Sequence, residues 1–129
     1  MSVVPLIDME LPMLVVKPDP LNEQNETKKL NAFSDGVPCG YIRFHHRGYI
    51  LVVDELLPLP EDPKNMDKPT YAILDTIIRA LGSYGLNHSC FYLECEAPVL
   101  YPTLQALRFT FKDDMMKSDL SKILNHQHD

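Results

Sequence analysis

The side chains able to do chemistry in this chain are five histidines, three cysteines and a scatter of carboxylates, lysines and tyrosines. His45 and His46 are consecutive in a stretch that reads as a strand, so they point to opposite faces and make poor joint metal ligands. Cys39, Cys90 and Cys95 are odd in number and lack CxxC spacing, which fits reduced thiols better than a disulfide framework or a zinc site. No Ser-His-Asp or Cys-His arrangement has a motif around it, so hydrolysis through a nucleophile has no support. His126 and His128 could take a metal adventitiously; no metal is assigned. Two kinds of chemistry remain. A carboxylate can move a proton if burial raises its pKa toward neutral. Lys64 and Lys68, flanking the start of a helix, can attract an anion.

The stretch from Lys68 to Phe111 has to position these groups. Between Thr70 and Tyr84 the residues Ile73, Leu74, Ile77, Ile78, Leu81 and Tyr84 recur at helical spacing, with Asp75 and Arg79 paired on the opposite side. Gly82 and Gly85 are expected to supply the left-handed helix end. Ser89 to Glu96 then reads as a strand, with Phe91, Leu93 and Cys95 on its apolar face, and a helix leading into a strand implies a parallel crossover. Pro102 keeps the second helix brief and starting near Tyr101, before a strand Phe109 to Phe111. Ile73, Ile77, Leu81, Phe91, Leu93, Leu104 and Phe109 are the expected core. Upstream, Leu11 to Lys17 reads as a strand, Leu21 to Lys29 as a polar loop or exposed helical turn, and Leu30 to Ser34, Val37 to His46 and Tyr49 to Leu57 as further strands joined at Asp35-Gly36 and Arg47-Gly48. Leu57 to Lys68 is an irregular loop. Ser118 is expected to cap a last helix carrying Met115, Met116, Leu120, Ile123 and Leu124 on one stripe.

At 129 residues the chain is expected to be one domain over residues 1–129, with loose ends at 1–10 and 125–129. The 45% apolar content is ordinary, and no apolar run approaches a membrane span; no signal-peptide pattern is seen either. The expectation is a cytoplasmic protein with no membrane partner. A net charge of -6 argues against nonspecific nucleic-acid binding. The fold class is α/β of the α+β type: a mixed, mostly antiparallel sheet with a β-α-β-α-β C-terminal half.

That order resembles the GNAT superfamily of acyl-CoA N-acyltransferases. The resemblance is carried by KLNAFSDGVPCGYIRF (Lys29 to Phe44), YILVVDELLPL (Tyr49 to Leu59) and CFYLECEAPVLYPTLQALRF (Cys90 to Phe109), and covers roughly Leu11 to Phe111. In family members the last segment ends in Gly-Phe, where Arg108-Phe109 stands here. The chain resembles a truncated and divergent member, since only Pro18 to Lys28 separates the first two strands where two helices are usual. Part of the sheet then lacks its cover, and the expected partner is a second copy in a two-fold homodimer.

The resemblance implies acetyl-CoA or coenzyme A as cofactor, with a small amine or a protein as acceptor. It places cofactor contacts at Leu57 and Leu59 on the strand exit and at Lys64 and Lys68 beside the helix start. It implies Glu55 or Glu94 as general base and, because the usual tyrosine position holds Leu104, Tyr101 as the hydroxyl nearest the leaving thiolate. The phosphate loop departs from the family: its two small positions are Asp67, a carboxylate, and Pro69, which has no N–H. Asp67 reads as an ordinary N-cap with Pro69 in the first turn. The implied function is therefore a GNAT-like protein with reduced or absent acetyltransferase activity. The alternatives are an active small N-acetyltransferase with a rebuilt cofactor loop, and a non-catalytic interaction or ligand-binding module.

Overall fold

The structure, a computed structural model, describes residues 13–22, 26–107, 110–112 and 115–119. It contains strands β1 (Leu14–Pro18), β2 (Thr27–Ser34), β3 (Val37–Arg47) and β4 (Ile50–Leu57), helix α1 (Lys68–Asn87), strand β5 (Tyr92–Cys95), helix α2 (Tyr101–Ala106), and strands β6 (Thr110–Lys112) and β7 (Met115–Asp119). One seven-stranded sheet has the order β1-β2-β3-β4-β5-β7-β6. Only β4 and β5 pair in parallel, in register from Ile50↔Tyr92 to Val53↔Cys95. The expected mixed, mostly antiparallel α+β class is what forms. Between β1 and β2 the described residues hold a single 3-10 turn, Pro20–Asn22, and not two helices.

Local chemistry explains the meander. Asp35 and Gly36 both have positive φ, +49° and +84°, the backbone of a two-residue hairpin turn whose twist matches the strands. Ala32 and Leu30 on β2, Ile42 and Phe44 on β3, Leu51 and Val53 on β4, and Leu93 and Cys95 on β5 alternate inward and are buried. Leu74, Ile77, Ile78 and Leu81 of α1 meet them, and Leu100, Leu104 and Leu107 around α2 complete the same apolar cluster. The helix is held at its start by Asp67, whose carboxylate accepts the Thr70 N–H at 2.8 Å.

Several expectations are corrected. Gly82 and Gly85 do not end α1; both are buried within it, and the positive φ falls on Ser89 (+61°), where Cys90 N–H closes back onto Gly85 O at 2.8 Å. Phe91 is not core: β5 starts one residue later, Phe91 donates its N–H to Tyr49 O, and its side chain is 49% exposed. Ile73 is only partly buried, whereas Ile77, Leu81, Leu93 and Leu104 are buried as expected. The segment from Met115 is strand, not helix. Its helix-like spacing is overridden because β5 needs a second backbone partner, which β7 provides in antiparallel register from Tyr92↔Asp119 to Cys95↔Met116. Phe109, Leu120, Ile123, Leu124 and the chain ends at 1–10 and 125–129 lie outside the described residues.

Candidate functional site

The break in sheet pairing defines the site. β3 and β4 stay paired as far as Tyr41↔Leu57, through a bulge that sets Asp54 apart between Val53 and Glu55. β4 and β5 stop pairing at Val53↔Cys95. From Asp54 to Leu57 the outer backbone edge of β4 thus has no ladder partner among the described residues. Gly40 makes this exit possible. A Cβ built on Gly40 would stand 2.5 Å from Leu57 O, 3.1 Å from Pro58 Cδ and 3.2 Å from Ile77 Cδ1, so only glycine lets β3 pass so close under the exit. Leu57 and Leu59 sit on that exit, both part-exposed.

At the start of α1 two backbone donors are already engaged. Thr70 N–H goes to the Asp67 carboxylate, Tyr71 N–H goes to Asp67 O at 3.0 Å, and Pro69 has none to give. Those hydrogen bonds from Thr70 hold the Asp67 carboxyl below its ordinary pKa. A fixed anion therefore occupies the place where the helix end would otherwise face a phosphate. These residues do not fit a coenzyme A pyrophosphate at Asp67 to Pro69. Alongside lies a cleft of about 430 Å³ lined by Pro63, Lys64, Met66, Lys68, Tyr71 and Ala106. Lys64 and Lys68 both line it.

The two candidate bases lie apart along the strands. Glu55 faces Arg43, with Oε1 3.1 Å from Nε, and is half-exposed. It also accepts from the Tyr41 hydroxyl, whose pKa is raised first by burial and then by Glu55. Glu94 stands opposite Val52, so it is set back three residues, roughly 10 Å, along the strand direction from Glu55. It is 7% exposed and clamped by Arg47, whose Nη2 is 2.5 Å from Glu94 Oε1 while Nη1 is 3.1 Å from Glu96 Oε2. The Arg47 guanidinium thus engages the Glu94 carboxylate in a charge-assisted hydrogen bond. Tyr101 begins α2 and packs against the apolar cluster; Leu104 is fully buried.

The two histidines diverge as expected: His45 Nδ1 donates to Asp54 Oδ2 at 2.8 Å on one face, and on the other His46 Nε2 lies 3.0 Å from the Tyr84 hydroxyl. Cys90 Sγ is 3.6 Å from His46 Nδ1. This second grouping has no local mark in the sequence, because His46 comes from β3, Tyr84 from α1 and Cys90 from the segment before β5. Among the described residues no cluster of three or more metal-ligating side chains occurs, and no helix is long and apolar enough to cross a membrane.

Set against known proteins, the chain is similar in structure to a putative GNAT-family acetyltransferase from Desulfovibrio desulfuricans, with TM-score 0.58, 8% identity, and 78% of this chain and 73% of that one covered. The IAA acetyltransferase from Bacillus cereus superposes with TM-score 0.56 at 9% identity, over 81% of this chain and 97% of that one. The aminoglycoside acetyltransferase AAC(6')-Ib in complex with coenzyme A and kanamycin gives TM-score 0.51 and 12% identity over 84% and 75%. No family's sequence profile and no curated protein sequence matches the chain. The protein has the GNAT acetyltransferase fold, and among the described residues a single 3-10 turn stands between β1 and β2.

Proposed function

We propose that the protein is a GNAT-like domain in which acyl transfer from coenzyme A is reduced or absent. One observation carries this reading: the Asp67 carboxylate sits on the Thr70 N–H, next to a proline, where a phosphate cradle needs open donors. The buried Leu104, in the place where a hydroxyl would meet a leaving thiolate, points the same way. Calorimetry with acetyl-CoA tests it, and weak or undetectable binding is expected. The second reading, an active small N-acetyltransferase with a rebuilt cofactor loop, is favoured by the cleft that Lys64 and Lys68 share. A micromolar dissociation constant abolished by Lys64→Ala would put that reading first. Under either reading the acceptor is a small amine or a protein. The cytoplasm is the compartment proposed, since it keeps thiols such as Cys39, Cys90 and Cys95 reduced. A two-fold homodimer is proposed as the assembled form, supported by the groove that Phe33, Pro38, Tyr41, Leu57 and Leu59 line on the sheet face opposite α1.

A further inference from the structure

Lys29, Arg43, Arg47 and Arg79 each face a carboxylate: Lys29 Nζ is 3.8 Å from Asp19 Oδ2, Arg43 Nε 3.1 Å from Glu55 Oε1, Arg47 Nη1 3.1 Å from Glu96 Oε2 and Arg79 Nε 2.8 Å from Asp75 Oδ2. Lys64 and Lys68 have no such partner among the described residues, and both line the cleft of about 430 Å³ beside the start of α1. The nearby carboxylates are occupied elsewhere. Asp67 holds the Thr70 N–H, and Asp62 accepts from Asn65 Nδ2 at 3.0 Å. Neither of them lines the cleft. Its walls come from three elements. The 3-10 turn Pro63–Asn65 carries Lys64 and is closed by the Asn65 N–H, which donates to Asp62 O at 3.0 Å. Met66 and Tyr71 tie the cleft to the core, since both are partly buried against the apolar cluster, and Ala106 contributes from the end of α2. Two uncompensated ammonium groups thus share a hollow with a phenol ring and apolar walls.

We propose that this cleft binds a small phosphate monoester carried on an aromatic body, with Lys64 and Lys68 taking the phosphate and Pro63, Met66 and Tyr71 taking the body. The charge count selects the ligand. A phosphate monoester carries about -1.5 to -2 at pH 7, which matches two lysines, whereas a single carboxylate would leave one of them uncompensated. Lysine serves phosphate as a point charge and needs no help from the helix amides, which Asp67 and Pro69 withhold. The volume suits a ligand of small-molecule size. The inference rests on the reading that this helix start is closed to coenzyme A: a pyrophosphate laid along it meets the Asp67 carboxylate, while a lone phosphate held by the lysines does not have to. Affinity should fall with added salt, and also below about pH 6, where the ester takes up its second proton.

Titration of the full chain with phenyl phosphate gives the test, with phenol and acetyl-CoA as companion probes and the methyl resonances of Met66 and Ala106 as reporters. The expected result is saturable shifts of both methyls with phenyl phosphate, weaker in high salt and at acid pH, and none with phenol. Lys64→Met and Lys68→Met, both at exposed positions, should each weaken binding about tenfold; either serves if the other does not fold. Shifts equal for phenol, affinity indifferent to both substitutions, or no shift at roughly 10 mM phenyl phosphate would overturn the proposal. With acetyl-CoA also silent, the reading of a closed cofactor site would stand without it. Acetyl-CoA binding more tightly than phenyl phosphate and displacing it would overturn both.

Discussion

The carboxylate of Asp67 accepts the amide of Thr70 at 2.8 Å, and by doing so fills with a side chain the position at which a helix end would otherwise receive a ligand's charge. If that contact is what closes the phosphate site, reopening it should restore affinity. Asp67→Gly combined with Pro69→Ala frees the Thr70 N–H and adds one at position 69. The double variant is expected to bind coenzyme A at least about tenfold more tightly than the native chain by calorimetry. Unchanged binding would show that the rest of the cleft, and not the cap, is unsuited to the cofactor.

The same contact sets an acid limit. Asp67 has its pKa lowered from 3.8 by the hydrogen bonds of Thr70, so its contribution to stability is complete above that value and is lost as pH falls below it. Asp67→Asn should flatten that part of the acid unfolding curve. A curve identical to the native one would mean that other carboxylates govern it.

Gly40 gives a backbone test. Gly40→Ala places a methyl group 2.5 Å from Leu57 O, which β3 and the exit of β4 must move apart to accept. Urea unfolding should show a loss of about 1 to 3 kcal/mol. A neutral result would mean that the exit yields freely, and the site would then have no fixed wall on that side.

In the core, Leu93→Ala should destabilise by about 2 to 5 kcal/mol, since Leu93 is fully buried between β4 and the helices. Phe91→Ala, half-exposed beside Tyr49, should lose less than about 1.5 kcal/mol, the scale of an aromatic pair. The reverse order in paired unfolding experiments would restore the sequence-based reading of β5.

Light scattering across micromolar concentrations examines the dimer. A two-fold species is expected, and Phe33→Glu, in the groove opposite α1, should convert it to monomer. A monomer at every concentration would remove the proposal.

How much of this was legible follows from the range of the signals. α1, its Asp67 cap and the Asp35-Gly36 turn are written in neighbouring residues, so spacing alone finds them. For β5 the alternation correctly buries Leu93 and Cys95, but it cannot say where pairing begins, and Phe91 falls one residue before the ladder. The Met115 to Asp119 segment carries a helical stripe, yet the open edge of β5 decides its state, a long-range demand with no local mark. The order of elements points to the helix start beside Lys64 and Lys68, while the ring cluster of His46, Tyr84 and His88 stays hidden because His46 and His88 are 42 positions apart and meet only through the fold.

The single parallel pairing also imposes a sequence of events on folding. The turns joining β2, β3 and β4 close over two residues each, so the meander can form early and at little entropic loss. β4 cannot meet β5 until the whole stretch from Pro58 to Phe91, helix included, has been brought to order. The seam between β4 and β5 is therefore the last part of the sheet to be assembled and the first to come apart under partial denaturation, with amide exchange at Tyr92 to Cys95 outpacing that at Ile42 to Phe44.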